Sequence, residues 1–181
     1  ASYTLTAADG WKHTFENLFV YNNTKKIKYT VRELVNNGNY TVEVTNSTPY
    51  NFTVTNSHTP LRTDVNVTKV WLDDDNRDGF RNVSVVVELY ADGKLNATYT
   101  LTAADGWKHT FENLYVYNNT KLIEYTVKEI VNNGNYSVDV SNSTPYNFTV
   151  KNSHTPLRTS VNVTKVWFDD DNRDGVRPVS V

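Results

Sequence analysis

The sequence predicts an all-β protein made of tandem copies of one seven-stranded sandwich. Three observations lead there: short runs alternating apolar and polar residues, turn-residue clusters between them, and a near-perfect internal repeat. Residues 1–85 align without gaps on 97–181 and differ at 14 positions, mostly conservatively, as at Ser2/Thr98, Leu34/Ile130 and Glu43/Asp139. A 96-residue period is too long for a solenoid unit and matches an array of domains. No stretch sustains a helical period.

Within one repeat the strands read as Val65–Leu72, Val83–Tyr90, Ala97–Thr102, His109–Leu114, Ile123–Ile130, Tyr136–Val140 and Tyr146–Asn152. Between them lie DDDNRDG, ADGK, AADG, YNNT, NNGN and NSTP, all turn chemistry. Successive side chains of a strand point to opposite faces, so alternation assigns an inside. Val65, Val67 and Trp71 face in on the first strand; Val83, Val85, Val87 and Leu89 on the second; Tyr136, Val138 and Val140 on the sixth; Tyr146, Phe148 and Val150 on the last.

The segment NSHTPLRT, at Asn56–Thr63 and again at Asn152–Thr159, reads as a linker. One whole domain is therefore expected over 65–158. Residues 1–62 are the later part of a preceding copy without its first strands, and 161–181 are the opening strand and loop of a following one. Together these two pieces lack only the equivalent of 86–96. That gap favours a window onto a longer tandem polypeptide over separate chains joined head to tail.

The chain carries 18 Lys+Arg against 20 Asp+Glu, which gives no reason to expect nucleic acid or an anionic membrane as partner. No apolar run approaches membrane-spanning length. Without Cys there is no disulfide, zinc-thiolate site or thiol nucleophile. Of 24 Asn, 12 open an Asn-x-Ser/Thr sequon, where chance gives roughly four or five. They are Asn22, Asn39, Asn46, Asn51, Asn66, Asn82, Asn96, Asn118, Asn135, Asn142, Asn147 and Asn162. Asn66, Asn82, Asn96, Asn135 and Asn147 fall in the outward phase, as glycan sites must. Sequons without disulfides suggest a prokaryotic surface protein.

Extending the inward phase exposes three violations. Lys69 follows Val65 and Val67; Glu129 follows Ile123, Tyr125 and Val127; Asn152 follows Tyr146, Phe148 and Val150. Lys165, Glu33 and Asn56 break phase identically in the flanking copies. A buried Lys or Glu is costly unless paired. One reading is a buried salt bridge capped by the amide, or strands that end there and let the groups reach water. The sharper reading is chemical. Burial lowers a Lys pKa toward neutrality and keeps a carboxylic acid protonated. A neutral amine, a proton-shuttling acid and a side-chain amide are what an intramolecular isopeptide bond requires, with ammonia leaving. Folding supplies proximity worth about 7–11 kcal/mol.

The runs VNVTKVW (Val65–Trp71), DDDNRDG (Asp73–Gly79), TLTAADGW (Thr100–Trp107), EYTVKE (Glu124–Glu129) and NSHTP (Asn152–Pro156) strongly resemble the B-type repeat of Cna-like collagen adhesins. That family forms stalks of Gram-positive surface proteins and pilins, and related repeats occur in archaeal adhesin-like proteins. The resemblance covers essentially the whole chain. It implies a transthyretin-like (prealbumin-like, Ig-like) sandwich, with Lys69 and Asn152 as bond-forming residues and Glu129 as the catalytic one.

Other motifs carry less. Asp74, Asn76, Asp78 and Asp170, Asn172, Asp174 match the start of a D-x-N-x-D-G calcium loop, but Val85 and Val181 stand where its bidentate Glu belongs. These are weak calcium candidates, and no cofactor is expected. His13, His58, His109 and His154 sit singly and read as packing or turn residues. No Ser/His/Asp order, P-loop or dinucleotide motif marks an enzyme. Two functions remain: an extracellular stalk or fibre module whose partners are neighbouring copies placed head to tail, with Lys165 bonding Asn56 of the neighbouring chain and Glu33 assisting where separate chains join, or a ligand-binding adhesin module. Tyr115, Tyr117 and Trp107 are the aromatic candidates for the second.

Overall fold

In a computed structural model, residues 1–34, 38–130 and 134–181 are described. The parts of the two NNGN turns at 36–37 and 132–133 lie outside them. The described residues contain no α-helix and divide into two compact units, Ala1–Pro60 and Leu61–Val181.

The first unit holds a small hairpin, β1 (Tyr21–Asn22) with β2 (Lys25–Lys26), and a long one, β3 (Thr41–Thr48) with β4 (Asn51–Ser57). The second unit holds β5 (Arg62–Leu72), β6 (Ser84–Ala91), β7 (Lys94–Thr102), β8 (Lys108–Tyr115), β9 (Tyr117–Asn118), β10 (Lys121–Leu122), β11 (Tyr125–Ile130), β12 (Ser137–Thr144) and β13 (Asn147–Ser153). Seven of these make two sheets, β11-β6-β7 and β12-β13-β5-β8. The first-to-last pair β5–β13 is parallel, with Val150 opposite Lys69 and Asn152 opposite Trp71; the other sheet neighbours are antiparallel. Inward Val65, Val67, Val87, Leu89, Leu101 and Val150 are fully enclosed between the sheets.

Three expectations are corrected. Val83 is 88 % exposed, because β6 begins one residue later at Ser84. Val140 is exposed, because β12 is the outermost strand of its sheet. The YNNT turn is itself a two-residue ladder, β9–β10.

The repeat separates what is encoded locally from what needs neighbours. VNVTKVW is a strand at 65–71, between β8 and β13, yet forms no strand at 161–167. A lone segment has no partner for its ladder groups, so the same residues form a strand only beside β8 and β13. The acidic loop folds alike in both places. Asp74, Asp75 and Asn76 hold left-handed φ values of 53°, 59° and 60°; Asp170, Asp171 and Asn172 hold 49°, 59° and 62°. Asp and Asn tolerate this region better than other side chains. In both copies the leading Asp caps the Asn backbone N–H and takes an Arg fork, Arg81 on Asp73 and Arg177 on Asp169.

In the complete repeat that loop is also a brace. Asp73 is buried and accepts from Arg81 Nε (2.9 Å), Arg81 Nη2 (2.6 Å) and Tyr136 Oη (2.9 Å). The Arg81 hydrogen bonds, seconded by Tyr136, hold the Asp73 carboxyl down at about 2. Burial, then the bond to Asp73, pushes Tyr136 up to about 12. Removing one partner from such a pair strands a buried charge. Arg81→Ala is expected to cost about 3 kcal/mol in denaturant unfolding followed by tryptophan fluorescence. Arg77→Ala, whose Asp74 partner is exposed, should leave the midpoint unchanged.

Candidate isopeptide site

Three strands deliver three polar side chains into the sandwich interior: Lys69 from β5, Asn152 from the adjacent parallel β13, and Glu129 from β11 in the facing sheet. Each continues the inward phase of its strand, and each is 3–5 % exposed. The Lys69 ammonium lies 3.5 Å from Glu129 Oε2, and Asn152 Nδ2 donates to Glu129 Oε1 at 2.7 Å. Glu129 thus touches both other members. Lys69 Nζ also donates to the Val70 carbonyl at 3.2 Å and approaches that of Val150 at 3.5 Å. It sits 4.1 Å from the Trp71 ring centre, and Trp71 is flanked edge-on by Trp107 and Tyr136.

The site is packed but not satisfied. Among the described residues, the buried side-chain atoms without a hydrogen-bond partner are Glu129 Oε2, Asn152 Oδ1 and Trp71 Nε1. At 3.5 Å the ammonium faces Glu129 Oε2 as a charge without a formed hydrogen bond. A purely structural network normally closes such valences, because an unmade buried hydrogen bond costs about 1–3 kcal/mol. Desolvation lowers the Lys69 amine to about 8, against the opposing pull of the Glu129 charge. Near neutral pH a useful fraction of the amine is therefore unprotonated, with the Glu129 carboxyl beside it and the Asn152 amide on the other oxygen of that carboxyl.

In the first unit Asn56 Nδ2 donates to Glu33 Oε1 at 2.9 Å, the same contact without a lysine. Lys165 is exposed, its ammonium 4.3 Å from the Trp167 ring. The calcium candidates do not converge. Asp74 pairs with Arg77, Asn76 accepts from the Arg81 backbone N–H, and Asp78 faces His154. Asn172 likewise accepts from the Arg177 backbone N–H, while Asp170 and Asp174 lie on the exposed loop. Among the described residues no three His, Cys, Asp or Glu come together as metal ligands. Of the sequon asparagines Asn82 is half-buried and the others are exposed; Asn66 and Asn147 are hydrogen-bonded to each other across β5–β13 at 2.9 Å. Tyr115 and Tyr117 are about half exposed, with the Arg62 guanidinium 3.3 Å over the Tyr115 ring, and Trp107 packs on Trp71. The alternation of the strands gave no hint of the Asp73–Arg81–Tyr136 brace, since Asp73 stands in an acidic run whose next two members are exposed.

The model of the Cna protein B-type domain matches residues 1–57 and 65–153. The chain belongs to this family. A collagen adhesin of Staphylococcus aureus is 39 % identical over 177 residues, which is 98 % of this chain and 14 % of the adhesin. The crystal structure of two B repeat units of the collagen-binding protein of that organism is 37 % identical, with a TM-score of 0.62 over 96 % of this chain and 45 % of the other. A single B repeat unit of the same protein gives 35 % identity and a TM-score of 0.51, covering 84 % of this chain and 79 % of that one. The chain therefore spans a small part of the adhesin it resembles. These relatives are repeats of a surface adhesin, and the B-type sandwich is the fold seen here.

The lowered Lys69 pKa makes a pH prediction for the unlinked domain. The folded amine releases its proton near pH 8 and the unfolded chain near 10.5, so between these values the unfolded state binds more protons. Unfolding then becomes harder as pH rises through this window; below it both states are protonated and the dependence vanishes. Asn152→Ala, which lacks the amide that a Lys69–Asn152 bond would need, should gain about 3 kcal/mol between pH 8 and 10.5. The double variant Lys69→Met, Asn152→Ala should lack that gain in the same denaturant titrations.

Proposed function

We propose that this B-type repeat is an extracellular stalk or fibre module, locked by a self-formed Lys69–Asn152 isopeptide bond. The observation that carries the reading is the burial of Lys69 and Asn152 on the two oxygens of one buried Glu129 carboxyl, with valences left open. The neutral Lys69 amine attacks Asn152 Cγ. A new Nζ–Cγ bond forms, the Cγ–Nδ2 bond breaks, and Glu129 relays the amine proton to the departing nitrogen, which leaves as ammonia. The reaction runs once per domain and is maturation rather than turnover.

The topology gives the bond a mechanical role. The chain enters β5 at Arg62 and leaves β13 at Ser153, and the two strands are parallel neighbours. Tension between the ends therefore shears this pair. A covalent tie from Lys69 to Asn152 carries that load past the sandwich and encloses a loop of about 84 residues, adding about 4–5 kcal/mol by loop-closure arithmetic. Neighbouring copies, head to tail, are the partners; Glu33 and Asn56 repeat the acid and the amide of the site in the preceding copy, and Lys165 repeats its amine in the following one. Glycans on the sequons would coat the outer faces, and near-identical copies suit a spacer better than a binding surface.

Single-molecule stretching tests this. The enclosed loop should contribute no extension in the wild-type chain. Glu129→Ala should release roughly 280 Å of additional contour length from it. Equal extension in the two proteins would contradict the locking role.

A further inference from the structure

We propose that Asp78 is a clasp on the linker leaving the repeat, holding residues 154–157 against the acidic loop and so fixing the direction in which the chain departs toward the next copy. One carboxylate oxygen makes both contacts: Asp78 Oδ2 lies 3.0 Å from His154 Nε2 and accepts from the Leu157 backbone N–H at 2.8 Å. The imidazole is fixed at its other nitrogen as well, 3.0 Å from the Asn135 carbonyl. Its ring lies edge-on to Phe80 and tilted against Tyr136, and the His154 backbone N–H donates to the Leu72 carbonyl at 2.8 Å. A histidine tied at both nitrogens, on both sides and through its backbone is not a loose linker residue. It extends the β5–β13 ladder one step beyond the last strand.

The first unit shows that the receiving half is built by its own hairpin. His58 Nδ1 lies 2.9 Å from the Asn39 carbonyl, and its ring is tilted against Tyr40 at 5.5 Å, as His154 is against Tyr136 at 5.5 Å. The acidic loop likewise forms without the sandwich, at 169–177. Asp78 therefore joins two pieces that are each preformed, and little ordering opposes the contact. The clasp sits at the pole where β13 ends: Asp78 belongs to the loop that a Lys69–Asn152 bond would enclose, while His154 and Leu157, which it holds, lie beyond Asn152 and outside that loop. It is independent of that bond: load on the chain reaches the clasp first.

Amide exchange and backbone relaxation on the full 181-residue chain test it. The wild-type Leu157 amide should exchange at least about tenfold more slowly than an open chain, and residues 155–158 should have folded-type order parameters near about 0.85. Asp78→Ala should accelerate the Leu157 amide by about tenfold and drop those order parameters below about 0.6, with the Val67 and Val150 amides unchanged. Should that variant fail to fold, Asp78→Asn reads the same amide: it keeps an oxygen for Leu157 but loses the charge facing His154, and several-fold acceleration is expected. Open-chain exchange at Leu157 in the wild type, or exchange and order unaltered in a folded variant, overturns the proposal.

Discussion

The sandwich is organised around a lysine that has been taken out of water. Lys69 sits between the sheets at 4 % exposure, among Val67, Val150 and Trp71, and what keeps it there is Glu129 from the opposite sheet and the carbonyls of its own and the neighbouring strand. Removing a charge from water costs several kcal/mol unless it is paired and fully hydrogen-bonded. The pairing is incomplete, and the amine answers by losing proton affinity. A site that is costly as a charged pair becomes inexpensive once the amine is an amide nitrogen. The same burial that weakens the unlinked domain would thus favour the proposed covalent bond.

The neighbouring structure holds that site in shape. Trp71 covers the ammonium, and Trp107 and Tyr136 hold Trp71 edge-on. Tyr136 is anchored through Asp73, whose other side-chain partner is Arg81 from the far end of the acidic loop. The loop is locally encoded, since it forms again at 169–177 without a domain around it. The strand before it is not, since 161–167 repeats its sequence without pairing. Loop and hairpin are the preformed parts, and long-range pairing of β5 with β8 and β13 completes the sandwich.

Alternation, with the turn clusters and the repeat, made the sandwich legible, and because buried strands have a period of two a Lys, Glu or Asn in the inward phase stands out. It placed Lys69, Glu129 and Asn152 in the interior, where the structure has them. It misplaced Val83 and Val140, where a strand started late or lay outermost in its sheet. It did not reach the Asp73 brace or the Asp78–His154 contact. Loops have no period, and among consecutive acidic residues nothing local distinguishes the buried one. The 63 residues separating Asp73 from Tyr136 also put their contact beyond any short-range pattern.

The most direct test of the central claim is the intact mass of the wild-type chain with peptide mapping of the complete repeat. Isopeptide formation lowers the mass of that repeat by one ammonia and leaves the Lys69 and Asn152 peptides recovered as one branched species. A chain of full sequence mass, with a Lys69 amine that still reacts with acylating reagent after unfolding, would contradict it.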